Sequence, residues 1–293
     1  MITMVVSTFS IVVGNRACVN DCPLCISKMT GWGDITFDVC WDKFPQACRI
    51  AERRGARNVL LTSKGEATLF NVDMTRYLIE LSNHNFERIE LQTEGSNIAK
   101  GLQNNFMLWD KTLKLWKHLG LNVIAISMYH WDSVTNGEIF NPRDSVAYDQ
   151  WGLIQLLRAY GFEIRVSVCL IKDTMQYKIQ VDKMIHMCKS NHIMQLTLRE
   201  MDIPNNPINL EVVEWIKEHT FNTSSLAQYI NERGVLCDIL PHGAKVYEID
   251  GINVSITDGL AHDIKDEHDR NLIWFPTGIL TTSWETVQGS RVL

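Results

Sequence analysis

The chain has 293 residues, 45% of them apolar and 21% charged, with a formal net charge of −6. That is material for one large globular core, alone or with a small appendage, and the acidic balance argues against a broad electrostatic grip on nucleic acid, leaving only a local basic patch for such a partner. No stretch approaches the roughly eighteen uninterrupted apolar residues of a membrane-crossing helix, and the eight cysteines show no disulfide pattern, so a cytoplasmic protein in a reducing compartment is expected.

The first apolar run, Thr3 to Val13, is rich in Val, Ile, Thr and Phe and reads as a buried strand. It lacks the basic flank and small-residue cleavage site of a signal peptide. The strand delivers a loop, Ala17-Cys18-Val19-Asn20-Asp21-Cys22-Pro23-Leu24-Cys25, with three cysteines spaced four and three apart. A short loop of that spacing turns three sulfurs toward one point. Thiolates ligate iron–sulfur clusters and zinc, and three ligands leave one coordination position open. A structural zinc site takes four Cys or His ligands as paired knuckles; the other cysteines (Cys40, Cys48, Cys169, Cys188 and Cys237) are scattered, and nothing in the spacing points to His84 or His130 as a fourth.

A helix is predicted over Asp38 to Arg54, with Pro45 either kinking it or marking its true start, and Gly55 stopping it. A short apolar strand, Asn58 to Ser63, runs into Lys64-Gly65-Glu66-Ala67. A helix over Val72 to Leu81 and a strand over Arg88 to Thr93 follow, the strand ending in Glu94-Gly95. After a helical region carrying Leu113, Trp116 and Leu119 comes a fourth strand, Val123 to Met128. The connection Tyr129 to Arg143 then carries Tyr129, His130, Trp131 and Asp132, placed either to touch substrate or to cover the mouth of the site. Asp144 is predicted to cap a helix reaching Tyr160, ended by Gly161. Strand five, Glu163 to Ile171, puts Arg165 and Ser167 on one face by two-residue alternation and Val166 and Val168 on the other. A helix over Met175 to Ser190 and a strand over Met194 to Arg199 complete six alternating strand–helix units, the signature of parallel pairing with right-handed crossovers.

Beyond Pro204 the pattern changes to two helices, Leu210 to His219 and Ser224 to Glu232, and a β-rich tail. Val235 to Leu240, Lys245 to Ile249 and Ile252 to Thr257 read as antiparallel strands with Asp250-Gly251 as a tight turn; Asn271 to Phe275 and Ile279 to Ser283 form another pair. The expected division is a core over residues 1–203 and an extension over 204–293 packed on it.

The cysteine loop after a first strand resembles that of the radical S-adenosylmethionine (radical SAM) superfamily, and Lys64-Gly65-Glu66-Ala67 resembles its GGEP-like motif at the end of strand two, with Lys64 and Ala67 in place of the flanking Gly and Pro. The resemblance covers roughly residues 5–200. It implies an α/β fold, a partial (β/α)6 barrel, with the small helical and antiparallel β extension outside it. It further implies a [4Fe–4S] cluster on Cys18, Cys22 and Cys25, and S-adenosyl-L-methionine (SAM) completing the fourth iron. Gly65 and Glu66 would hold the methionyl amino group, and Leu24, aromatic in most of the family, would make backbone contact near the adenine. Ser127, Arg165 and Ser167 fall where family members meet the carboxylate and ribose of SAM, and Glu94 replaces the Asn of a Thr-Asn-Gly sequence.

The implied reaction is reductive cleavage of SAM to a 5′-deoxyadenosyl radical that takes a hydrogen from a substrate. It implies an external one-electron donor such as flavodoxin or ferredoxin. A small-molecule substrate, nucleotide- or purine-like, is expected, with Glu94 and Asp132 as catalytic acids holding amine or ring N–H groups. RNA or protein modification, a family member that has lost turnover, and a non-catalytic three-cysteine metal-binding protein stand as alternatives.

Overall fold

The computed structural model describes residues 6–30, 38–144, 148–240, 243–257, 271–284 and 291–293. In chain order the elements are β1 (Thr8–Val12), α1 (Ile26–Met29), α2 (Phe44–Arg53), β2 (Asn58–Thr62), α3 (Asn71–Leu81), β3 (Arg88–Thr93), α4 (Ser96–Asn104), α5 (Phe106–His118), β4 (Leu121–Met128), α6 (Ser133–Phe140), α7 (Gln150–Ala159), β5 (Glu163–Leu170), α8 (Lys178–Ser190) and β6 (Gln195–Glu200). The tail adds α9 (Leu210–His219), α10 (Ser224–Arg233), β7 (Val235–Ile239), β8 (Lys245–Ile249), β9 (Ile252–Thr257), β10 (Asn271–Phe275) and β11 (Ile279–Thr281).

Eleven strands form one sheet in the order β11-β10-β1-β2-β3-β4-β5-β6-β9-β8-β7. The six expected strands pair in parallel in sequence order. The tail extends both ends of that array. β9 joins β6 in parallel and β10 joins β1 in parallel, so eight neighbouring strands run the same way. Among the described residues, β7 and β8 at one end and β11 at the other pair antiparallel. The antiparallel hairpins expected of the extension form as read, and one strand of each is in addition a parallel neighbour of the core. The β8–β9 turn is as read, with Asp250 and Gly251 at φ 53° and 84°, the positive values that a tight two-residue hairpin needs.

Alternation along the strands sorts side chains by chemistry. Phe9, Ile11, Val59, Leu61, Ile89, Leu91, Ile124, Ile126, Val166, Val168, Leu196 and Leu198 are buried under the surrounding helices in one continuous core. The opposite face carries Ser10, Glu90, Gln92, Arg165, Thr197, Arg199 and Ser255 and lines a cavity of about 580 Å³. Asn271 on β10 and Ser255 on β9 line the same cavity although six strands separate them, so the sheet curls into a cup, as in a partial barrel. Its end strands are not paired to each other among the described residues.

Several expected boundaries move for local reasons. The helix expected from Asp38 begins at Phe44 with Pro45 in its first turn, where a missing N–H costs nothing. Thr3 and Met4, expected in the first strand, lie outside the described residues. The helical region before β4 is two helices, α4 and α5, broken at Asn105. Asp149, not Asp144, caps α7, accepting from the amides of Trp151 and Gly152 at 3.1 Å; Asp144 pairs with Lys100. No helix among the described residues is long and apolar enough to cross a membrane.

Trp116 on α5 is fully buried, stands edge-on to Trp109 and donates its indole N–H to Thr75 Oγ1 at 2.8 Å. Trp116→Ala removes the largest side chain between α5, α3 and the sheet and takes the indole donor from that hydroxyl, which keeps its bond to Asn71 O at 2.7 Å. The expected cost is about 3–5 kcal/mol, read as a lower denaturation midpoint with an unchanged slope.

Candidate functional site

The cysteine loop leaves the carboxyl end of β1 and is pinned from three sides. Gly65 fits against it so closely that a Cβ there would lie 2.1 Å from the Ala17 carbonyl oxygen, and the next amide, of Glu66, donates to that same oxygen at 2.9 Å. Asn20 bridges to Pro142, and the Asp21 amide donates to Asn141 O at 3.0 Å. Lys28 on α1 reaches back to Cys22 O at 3.0 Å and pairs with Asp21 at 2.8 Å. Cys25 sits at the N-cap of α1.

Cys18, Cys22 and Cys25 are free thiols, each partly buried. Burial pushes the Cys18 thiol up to about 11 and the Cys22 thiol up to about 12, and the carboxylates and thiols around them add to the rise. These thiols ionise only when something positive arrives, which is what a metal does to its ligands. Among the described residues no three His, Cys, Asp or Glu groups converge on a single point to hold one ion. Three thiols with no fourth ligand do not fit a closed four-coordinate zinc site. They do fit a cubane cluster, in which each thiolate binds a different iron and one iron stays open.

Glu66 follows Gly65 and is buried. Its Oε1 accepts from the Thr68 amide at 3.0 Å, the Thr68 hydroxyl at 2.7 Å and the Thr93 hydroxyl at 2.7 Å. Among the described residues its Oε2 has the Glu94 amide alone, at 3.4 Å, so one oxygen is spent on holding the carboxylate and the other is open to a cation. Glu94 is buried beside it and accepts a short hydrogen bond from Ser96 Oγ, while its carbonyl accepts from the Tyr148 hydroxyl. Burial first, and the Glu66 charge second, push the Glu94 carboxyl up to about 7. Two carboxyls in a dry place with no cation beside them are chemically suited to an ammonium.

A second cavity, of about 240 Å³, opens next to the loop. Cys22, Leu24 and Cys25 line one side, and Ser127, Ser167, Cys169 and Arg199 the other, from the carboxyl ends of β4, β5 and β6. It borders the larger cavity through Ile26, Gln92 and Arg199, which line both. Thus Cys22, Leu24, Cys25, Ser127 and Ser167 are brought together as read, with Gly65, Glu66 and Glu94 against the other flank of the loop.

Two expected residues stand elsewhere. Arg165, two residues deeper in β5 than Ser167, faces the larger cavity, where Glu90 grips it with both oxygens and Thr197 Oγ1 accepts from it at 3.1 Å. Asp132 lines neither cavity. It is exposed and caps α6, accepting from the Thr135 amide at 3.0 Å, and that bond holds its carboxyl below the usual range. The connection expected to be irregular folds as a helix, and Asp132 is spent on starting it, which corrects its reading as a catalytic acid.

Three further residues complete the site, of which the sequence marks Tyr129 as a residue touching substrate or covering the mouth. Arg199 donates to Ser167 Oγ at 2.9 Å and stands at the junction of the cavities; its place was foreshadowed by the Gln195, Thr197, Arg199 alternation. Tyr129 packs over Cys22 as part of a small apolar cluster with Leu24, Met29 and Phe140. Asn136, fully buried, accepts from the Tyr129 amide at 2.7 Å and fixes the chain there. No sequence signal marks that last role.

No family model and no curated protein matches the chain, whereas solved structures do. Streptococcus suis SuiB bound to S-adenosylmethionine superposes with a TM-score of 0.60 over 99% of this chain and 63% of that one, at 14% identity. Native anSMEcpe with bound AdoMet gives 0.59 over 97% and 76%, also at 14% identity. A radical SAM methyltransferase from Sphaerobacter thermophilus gives 0.50 over 88% and 67%, at 12% identity. The chain spans about three-fifths of the length of the SuiB chains it matches. At such low identity the likeness is one of architecture: this chain has the fold that carries bound S-adenosylmethionine in SuiB and anSMEcpe.

Proposed function

We propose that the chain is a radical SAM enzyme in which Cys18, Cys22 and Cys25 hold a [4Fe–4S] cluster and the smaller cavity takes SAM. The observation that carries this reading is the meeting, at the carboxyl ends of the parallel strands, of three free thiols, an acidic pair and a cavity that two of the thiols, Cys22 and Cys25, line themselves. When bound, cluster and SAM together supply reductive cleavage to methionine and a 5′-deoxyadenosyl radical that abstracts hydrogen from a substrate.

The chain's own part is to bind, orient and exclude water. The Gly65 backbone brings the second strand against the cysteine loop, so the acid that receives the methionyl ammonium and the thiols that receive iron are held by one contact. Glu66 Oε2 is the open acceptor for that ammonium, and Glu94 supplies a second carboxyl that gives up its proton near neutral pH. Leu24, Ser127 and Ser167 line the space for the nucleoside, and Arg199 stands where a carboxylate and a substrate would meet. Leu24, Tyr129 and Ile216 close the smaller cavity with apolar surface, keeping water from the reacting end. In this reading the substrate is a small molecule in the larger cavity, nucleotide- or purine-like, the electron comes from an external donor such as flavodoxin or ferredoxin, and the protein works in the cytoplasm.

Anaerobically reconstituted protein is expected to carry about four irons per chain and to form 5′-deoxyadenosine from SAM with dithionite. Cys22→Ala should lose the cluster and all cleavage, whereas zinc without iron in the wild type, or cleavage retained in the variant, would overturn the assignment.

A second expectation concerns pH. Because the folded-state pKa of Glu94 lies above its unfolded value, the folded chain binds the extra proton between pH ~4.5 and ~7, and stability falls as pH rises through that window. Glu94→Gln removes the cost of ionising a buried acid. Apoprotein carrying it should gain about 2–3 kcal/mol over the wild type at pH 8 and little at pH 4, measured by chemical denaturation at both pH values.

A further inference from the structure

The larger cavity has a charge that the composition does not predict. The described residues lining it include four cations, Lys64, Arg88, Arg165 and Arg199, and one acid, Glu90, in a chain whose formal net charge is −6. Glu90 is bonded through both oxygens to Arg165 and lies 3.9 Å from Arg88, so one acid is shared by two of the four cations. Arg88, at the far end of the cavity, donates to Gln195 at 3.1 Å and leans toward Glu163 at 3.8 Å.

Lys64 is the unusual member. Its side chain is almost wholly buried, and its ammonium donates to Thr30 Oγ1 at 2.6 Å and lies 5.9 Å from the centre of the Trp284 ring. No carboxylate pairs with it among the described residues. The nearby Arg16 guanidinium repels it, and burial with that repulsion brings its pKa down to about 8. Arg16 itself donates to Thr30 O at 3.1 Å and leaves its buried Nε without a partner. Two cations crowded against one threonine, the lysine out of water and neither with an acid among the described residues, are costly unless an anion joins them. The Cys25 thiol acts on Lys64 in the opposite sense to Arg16 but more weakly, and it lines the smaller cavity rather than this one. Across the cavity, Arg165 spends three of its five N–H groups on Glu90 and Thr197, and two remain. Ala125, opposite Arg165 on β4, is small enough to leave the guanidinium its reach across to β3.

We propose that the larger cavity recognises its substrate by an oxyanion, carboxylate or phosphate, received by Lys64 near the cysteine loop and by Arg165 deeper in the sheet. The inference rests on the reading of the chain as a radical SAM enzyme with its substrate in this cavity. Lys64 stands where the resemblance expects a glycine, so a residue that departs from the motif becomes the one that selects the substrate.

The test is calorimetric titration of the cluster-loaded protein, with SAM present to fill the smaller cavity, using inorganic phosphate, succinate and neutral glucose as probes. Binding of phosphate alone, of succinate alone, or of both supports the proposal and distinguishes the two sources of the oxyanion; binding of neither, or of glucose equally, overturns it. Two variants then move in opposite directions. Lys64→Met keeps the apolar stem and should weaken anion binding tenfold or more. Glu90→Gln removes the lone acid and releases Arg165, and should tighten it. Weakening in both marks a mere loss of structure and overturns the proposal, as does no change in either, which places the anion on the outer surface. The underlying enzyme reading is tested apart from this, by 5′-deoxyadenosine formation in the wild-type protein without any probe: anion binding without SAM cleavage sinks that reading and leaves the anion site standing, and cleavage without anion binding does the reverse.

Discussion

The contact between Gly65 and Ala17 is the constraint on which the rest of the site depends. A glycine with no Cβ lets the end of β2 touch the backbone just before Cys18, and the next amide seals the approach with a hydrogen bond. Any larger residue would drive the cysteine loop away from the strand ends and, with it, the thiols from the acidic pair. A hydrophobic core fixes where strands lie to within a side chain; this contact fixes where two loops lie relative to each other to within an atom, and catalytic geometry is set on that finer scale.

The charges on either side of that contact are separated by sign. Glu66 and Glu94 sit together on the β2–β3 side of the loop, buried and without a cation, while Lys64, Arg165 and Arg199 face the cavities from the other side. Each set is unfavourable alone. A molecule that is positive at one end and negative at the other would relieve both, so the site holds a field that orients what enters it. The apolar caps from Leu24, Tyr129 and Phe140 lower the local dielectric, and the field gains strength where it is least screened.

Much of the fold was legible because it is written in short range. Alternation in Glu163 to Leu170 placed Arg165 and Ser167 on one face and Val166 and Val168 on the other, and the structure keeps that division. Asp250-Gly251 made its turn, and Cys22 and Cys25 line a cavity from the first strand's loop. What alternation cannot supply is depth. Arg165 and Ser167 share a face, yet only the upper one reaches the smaller cavity, because one strand step pair moves a side chain by about 7 Å. Asp132 read as an active-site acid because a long polar connection after a strand favours that reading; its real partner was the Thr135 amide three residues on, a local signal that the absence of a periodic apolar pattern concealed. The parallel joining of β9 and β10 to the core was not legible at all, since a strand's sequence carries its faces but not the direction of a neighbour from the far end of the chain.

That last pairing has a consequence for how the molecule is made. β1 carries the cysteine loop, and one of its two edges is covered by β10, with Thr8 opposite Asn271, nearly the whole chain away. Until the ribosome has released the tail, the strand that presents the thiols is an edge with unpaired backbone groups, and such an edge is open to strangers. Closing so long a loop is slow compared with forming the βα units between. The order of assembly therefore puts the cysteine loop on an edge that is sealed late: the chain is built with its thiols at an open border, and the border closes only when β10 arrives.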